Sequence, residues 1–153
     1  LFPYFSSPTY HVHYAEVEVD PVSGNVHVTR YVVAQDVGRV INSACVRGQI
    51  QGAVAQSIGL SLYESMRFAE DGNIIEANLQ FYRLPLAVDI PRVEYVTMEQ
   101  ENSEGPFGAK GSGEAPVLLP AAVIANAVAD AIGKRITKIP ITPEDVLQAL
   151  AET

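Results

Sequence analysis

The sequence predicts an α+β fold, an antiparallel or mixed sheet with helices packed on one side of it. Three observations carry that prediction. Two stretches near the start alternate apolar and polar residues around a cluster of turn formers. One long stretch in the first half places its apolar residues at helical spacing, and two shorter helical patterns close the chain. Strands gathered early and helices late give a sheet covered on one face. With 153 residues and 48% hydrophobic content, the chain is one domain's worth and long enough to bury a core.

Residues 1–10 carry prolines, serines and aromatics without a period and read as a lead-in. From His11 the pattern alternates, with Ala15, Val17 and Val19 on one face and Glu16, Glu18 and Asp20 on the other. Asp20-Pro21-Val22-Ser23-Gly24-Asn25 is turn chemistry, and Val26 to Ala34 alternates again, which makes a hairpin. His11, His13 and His27 raise the question of a metal site. They lie on strands among apolar neighbours without a further ligand at a metal-binding spacing, and read as ordinary strand histidines.

Asp36 to Asn42 is a loop of turn formers leading into a helix at 45–66. One stripe of that helix, Val46, Ile50, Ala53, Val54, Ile58 and Leu62, is a core face. A second stripe is Gln49, Gly52, Gln56, Gly59 and Tyr63. Each internal glycine costs about 1 kcal/mol against Ala, so something must offset it. Either a neighbouring element packs tightly there, or a ligand lies on the bare face and takes hydrogen bonds from the Gln49 or Gln56 amides.

Ile74 to Phe81 reads as a short strand or an irregular segment, and the prolines of residues 84–91 forbid regular structure. Arg92 to Glu99 alternates as a further strand. Glu101 and Glu104 bring the chain to Gly105-Pro106-Phe107-Gly108-Ala109-Lys110-Gly111-Ser112-Gly113-Glu114-Ala115-Pro116. Its glycines permit positive φ and close approach of another group. Glu114 stands where a helix should begin, as a helix-start residue or as a base held against a cofactor. Ala121 to Ile132 is helical, with Pro120 in its first turn and Gly133 as its C-cap. Thr142-Pro143-Glu144-Asp145 starts a last helix that runs to about residue 150.

A net charge of −8, with Lys134, Arg135 and Lys138 the only basic cluster, argues against a nucleic-acid surface. Cys45 is the single cysteine, which excludes an internal disulfide and a Cys-rich iron–sulfur site and fits a reducing, cytoplasmic setting. Leu1-Phe2-Pro3-Tyr4-Phe5 has no initiator Met and no signal-peptide pattern, and reads as the interior of a longer polypeptide. No apolar run approaches the ~20 residues of a membrane span.

The combination of Asp36-Val37-Gly38-Arg39-Val40-Ile41-Asn42, Gly48-Gln49-Ile50-Gln51-Gly52-Ala53 with Gln56-Ser57-Ile58-Gly59, and Gly108-Ala109-Lys110-Gly111-Ser112-Gly113-Glu114-Ala115-Pro116 resembles the molybdopterin-binding subunit of the xanthine dehydrogenase/aldehyde oxidase family, the molybdenum hydroxylases. The strand Ala15 to Asp20 and the closing Ile139 to Leu147 resemble its bacterial members. The resemblance implies that Glu114 is the catalytic base beside molybdenum and that Gln49 lies at the cofactor. It places the backbone of Gly111, Ser112 and Gly113 along the pocket and names no protein ligand to the metal.

The implied reaction hydroxylates a heterocycle or aldehyde with oxygen derived from water. Partial burial is expected to raise the Glu114 pKa toward working pH. Iron–sulfur clusters and FAD would sit on partner subunits or domains, because this chain has neither a cysteine set nor a dinucleotide fingerprint. Residues 1–153 would be the C-terminal portion of the molybdopterin-binding domain, as a fragment or a split subunit. The remainder of that subunit would complete the site, and the isolated chain would be inactive. Two other readings compete: an anion-binding module around Lys110, which lacks the P-loop spacing, and a non-catalytic interaction domain in which the glycine loop only starts a helix.

Overall fold

The computed structural model describes residues 7–100 and 104–152. Residues 1–6 of the lead-in expected over 1–10, and Glu101 on the approach to the glycine loop, therefore fall outside the described residues, and Tyr10 already belongs to the first strand.

Strands β1 (Tyr10–Val19) and β2 (Val26–Asp36) form the expected antiparallel hairpin. Asp20 closes its turn, accepting from Val22 N–H at 2.9 Å and from the Ser23 hydroxyl at 2.6 Å. The inward residues Ala15, Val28, Tyr31 and Val33 are buried. One step of this pairing is invisible in the alternation. Glu16 pairs with Arg30 but Val17 with Val28, so Thr29 is an extra, bulged residue. The bulge shifts the inward set of β2 from Val26 and Val28 to Tyr31 and Val33.

Strand β3 (Val93–Met98) lies on the other side of β2 and runs parallel to it, in the order β1-β2-β3. The sheet is thus mixed, and a parallel pair needs a crossover between its strands. Helix α1 (Ser43–Leu62) lies in that crossover. Asn42 caps it, its Oδ1 accepting from Cys45 N–H at 3.1 Å. The expected core stripe from Val46 to Leu62 is buried throughout. The helix stops at Leu62 and not at 66, because the N–H groups of Tyr63 and Glu64 both turn back to the Gly59 carbonyl, at 2.9 and 2.8 Å.

Helix α2 (Pro120–Ile132) has Pro120 at its start and ends on Gly133 at φ 72°, and helix α3 (Pro143–Ala151) is capped reciprocally by Thr142 and Asp145. Ile124, Val128, Ile132, Ile141 and Val146 join the residues of the sheet and α1 in one core. Residues 64–92 hold neither strand nor α-helix; a 3-10 turn at Ala87–Asp89 and a single Phe68–Ile74 bridge are the regular features there. Ile74 to Phe81 is accordingly irregular. One helical stretch, Ala115–Ile132, is long and apolar enough by composition alone to cross a membrane. The expectation that no apolar run comes near that length is corrected to this extent, although the α-helical part, α2, has only 13 residues.

His13 shares a hydrogen bond with the Tyr31 hydroxyl at 3.0 Å. Burial, and then the charge of His11, pull its pKa down to about 4, so it is neutral at pH 7. Among the described residues no group of three or more His, Cys, Asp or Glu is placed to hold a metal ion.

Candidate functional site

The glycine loop is fastened to the end of β2, and a buried ion pair does the fastening. The Lys110 ammonium bonds the Asp36 carboxylate, with side chains only 8% and 4% exposed. The other oxygen of Asp36 accepts from Gly38 N–H at 2.9 Å and from Gln100 N–H at 3.4 Å. Burial pushes the Asp36 carboxyl up, but the Lys110 ammonium and the two N–H groups outweigh it and hold the pKa below the usual range. The backbones meet as well, Arg39 N–H donating to Gly108 O at 2.8 Å and Lys110 N–H to Val37 O at 2.9 Å. Gly38 makes this possible. It sits at φ 58°, and a Cβ there would lie 2.2 Å from the Gly108 carbonyl oxygen.

Beyond Lys110 the loop crosses to α1. A 3-10 turn at Ala115–Val117 follows Glu114, and the Ser57 hydroxyl donates to Val117 O at 3.4 Å. A cavity of about 420 Å³ opens between helix and loop. Gln49, Gly52 and Gln56 line it from α1, and Gly113 and Glu114 from the loop. A Cβ on Gly113 would come 3.7 Å from Gln49 Oε1, so the glutamine amide lies along the loop backbone.

The glycines of the stripe differ in what stands opposite them. A Cβ on Gly52, or on Gly48 one turn before it, would meet nothing within 4 Å. A Cβ on Gly59 would meet Glu64 Oε1 and would lie 2.9 Å from Pro85 Cδ. Tight packing accounts for Gly59, and the open cavity lies over Gly52.

The sequence-predicted residues divide in the same way. Gln49, Gly113 and Glu114 share the cavity, while Gly111 and Ser112 do not line it. Glu114 is exposed, so the burial expected of it is not supplied by this chain. It occupies the N-cap position of the 3-10 turn with no capping bond from its side chain. Lys110, considered as an anion ligand, is committed to Asp36. Sequence reasoning missed Asp36 altogether; the signal available was a lone cation in the glycine loop and a carboxylate opening the Asp36 to Asn42 loop.

The cavity suits an organic cofactor better than a bare ion. Its floor is glycine without neighbours, its walls offer amides that both donate and accept, and no chelating cluster stands in the described residues.

The Molybdopterin cofactor-binding domain family matches residues 2–91. The chain is 40% identical over 140 residues to the 6-hydroxypseudooxynicotine dehydrogenase complex subunit gamma of Paenarthrobacter nicotinovorans, covering 90% of this chain and 18% of that protein. Among solved structures it superposes on the aldehyde oxidoreductase from Desulfovibrio gigas with a TM-score of 0.86 at 38% identity, covering 94% of this chain and 15% of that one. Quinoline 2-oxidoreductase from Pseudomonas putida 86 gives 0.87 at 33% identity, covering 92% and 18%. The chain thus spans less than a fifth of each relative's length. It belongs to the molybdopterin cofactor-binding domain family, as a portion of a molybdopterin-binding subunit of the xanthine dehydrogenase/aldehyde oxidase type.

Proposed function

We propose that the chain is the C-terminal portion of the molybdopterin-binding domain of a molybdenum hydroxylase and forms one wall of its active site. The observation that carries this reading is the cavity. It brings together Gln49, Gly113 and Glu114, far apart in sequence, which the family resemblance links to one cofactor, beside Gly52 and Gln56 of the bare helix face. The remainder of the subunit would close the site, and iron–sulfur and FAD centres on partner subunits or domains would carry electrons away. Cytoplasmic residence is part of the same proposal, in keeping with Cys45, an exposed free thiol.

Gln49 and Gln56 would hold the cofactor's polar edge by amide hydrogen bonds. Gly52 would let its body lie against the helix, and the Gly111, Ser112 and Gly113 backbone would follow its flank. The bound group would supply Lewis acidity and accept two electrons from a heterocycle or aldehyde. Glu114 would take the proton that the hydroxylation releases. The rest of the subunit would cover it and keep bulk water from the site.

A specific observation favours a second reading, in which the domain is non-catalytic and the glycine loop is a helix start. Glu114 is exposed, and the loop runs straight into the turn that precedes α2. Replacing Glu114 by Gln in the assembled enzyme separates the two. The proposal expects a loss of turnover of ~10²–10⁴-fold with molybdenum content retained. Unchanged turnover leaves the second reading standing.

A further inference from the structure

Two neighbouring surfaces of this chain lack a cover among the described residues. The first is the free edge of β1. In the order β1-β2-β3 this 10-residue strand pairs on one side only, which leaves alternate N–H and C=O groups without ladder partners among the described residues. Neither Pro nor Lys stands in Tyr10–Val19; its charged residues are Glu18 and Glu16, the latter paired with Arg30. The bulge opposite Glu16 and Val17 puts its extra residue in β2, so β1 runs unbroken.

The second surface is the flank of α2. Ala115–Ile132 has a mean hydropathy of 1.8, yet only 28% of it is buried. Ile124, Val128 and Ile132 face the core, while Ala131 on another side is exposed. Asn126 and Asp130 interrupt that flank, so its apolar part is Val123, Ala127 and Ala131.

A groove of about 530 Å³ joins the two. On the strand it is lined by every residue from His13 to Val17. Successive side chains of a strand point to opposite faces, so a groove that touches five in a row runs along the strand's side. β2 holds the other side, which places the groove at the free edge. Val123, Ala127 and Ala131 form the apolar part of its helical wall, and Asn126 and Asp130 also line it. Small apolar residues leave room for a backbone there.

We propose that an extended segment from the part of the molybdenum subunit outside this chain adds to β1 as a further strand and lies beside α2. The length of the relatives supports that source, since the chain covers only 18% of the subunit gamma relative. The chemistry of the segment follows from the walls. Its inward residues are small or β-branched and apolar, to fit Ala127 and Ala131, and a Lys or Arg stands against Asp130. The inference rests on membership of the family and is independent of Glu114 as a base.

Hydrogen exchange of the complete, cofactor-loaded subunit tests it. All amides of residues 10–19 are expected to exchange at least ~100-fold more slowly than unstructured chain, including those that point away from β2. Ala131→Arg, at an exposed position of this chain, is expected to lower the yield of assembled, molybdenum-loaded subunit by about tenfold, and Ala131→Ser to preserve it. Fast exchange at alternate β1 amides overturns the proposal. Protection that appears only with dimer formation overturns it in favour of a second copy, and protection that requires lipid vesicles does so in favour of a membrane. Glu114→Gln leaves β1 exchange unchanged, so failure here is distinct from failure of the catalytic reading.

Discussion

Gly52 and Gly59 sit on one helix and on one stripe, and their surroundings are opposite. Gly59 is filled in by its own chain, with Glu64 folded back over it, the Pro85 ring beside it and Tyr82 holding Glu64 through a hydrogen bond of 2.5 Å. Gly52 faces a cavity bordered by two glutamine amides and a glutamate. A glycine inside a helix therefore has a structural cause at one end of α1 and an open space at the other. Only the open one points to a ligand. The helix itself cannot distinguish them, because periodicity records which residues share a face and not what stands opposite.

The loop that closes the open end supplies the largest test of this contrast on stability. Asp36→Asn leaves the Lys110 ammonium buried without its counter-charge and should cost about 3 kcal/mol in thermal melting, without disturbing the Gly59 end. Acid should do the same to the natural chain. The Asp36 pKa is depressed on folding, so its contribution is fully present above the unfolded carboxylate value and is lost as pH falls through the lower folded one. Melting of the Asp36→Asn variant, followed across the same acid range, should lack that component.

Gly59→Ala comes next. A methyl group there meets the Pro85 ring, and overpacking of this kind should destabilise by about 2 kcal/mol. Gly52→Ala reverses the sign. With nothing within reach of the new methyl, the chain should gain up to about 1 kcal/mol of helix propensity. The assembled enzyme, by contrast, should lose molybdenum if the methyl stands where the proposed site would hold the cofactor. Equal effects of the two glycine substitutions on stability would erase the distinction drawn here. Gln49→Ala should be the mildest for the fold, within about 0.5 kcal/mol at its exposed position, and is read out as lowered molybdenum content.

Much of this fold was legible because it is local. Alternation found the hairpin, Thr142 with Asp145 announced α3, Pro120 and Gly133 bracketed α2, and the apolar stripe of α1 is buried as its spacing required. What escaped was set by distant partners. The Asp36–Lys110 pair joins positions 74 residues apart, and neither residue has a local reason to be buried. The bulge at Thr29 and the parallel pairing of β3 depend on what a strand meets, not on its own pattern. The helix end at Leu62 follows from Glu64 folding back, which spacing does not encode. Of the candidate site residues, Gln49, Gly113 and Glu114 meet at one cavity, as their shared place in one site would require. Gly111 and Ser112 stand off it, and Glu114 is exposed, which the sequence did not announce.

The most direct test is a structure of the whole subunit carrying its molybdenum cofactor. The account predicts the pterin laid against Gly52, the Gln49 amide within hydrogen-bonding distance of it, and the Glu114 carboxylate turned toward the metal and shielded from water. A Glu114 side chain in bulk solvent, with the cofactor bound elsewhere and Gly52 covered by protein, would contradict it.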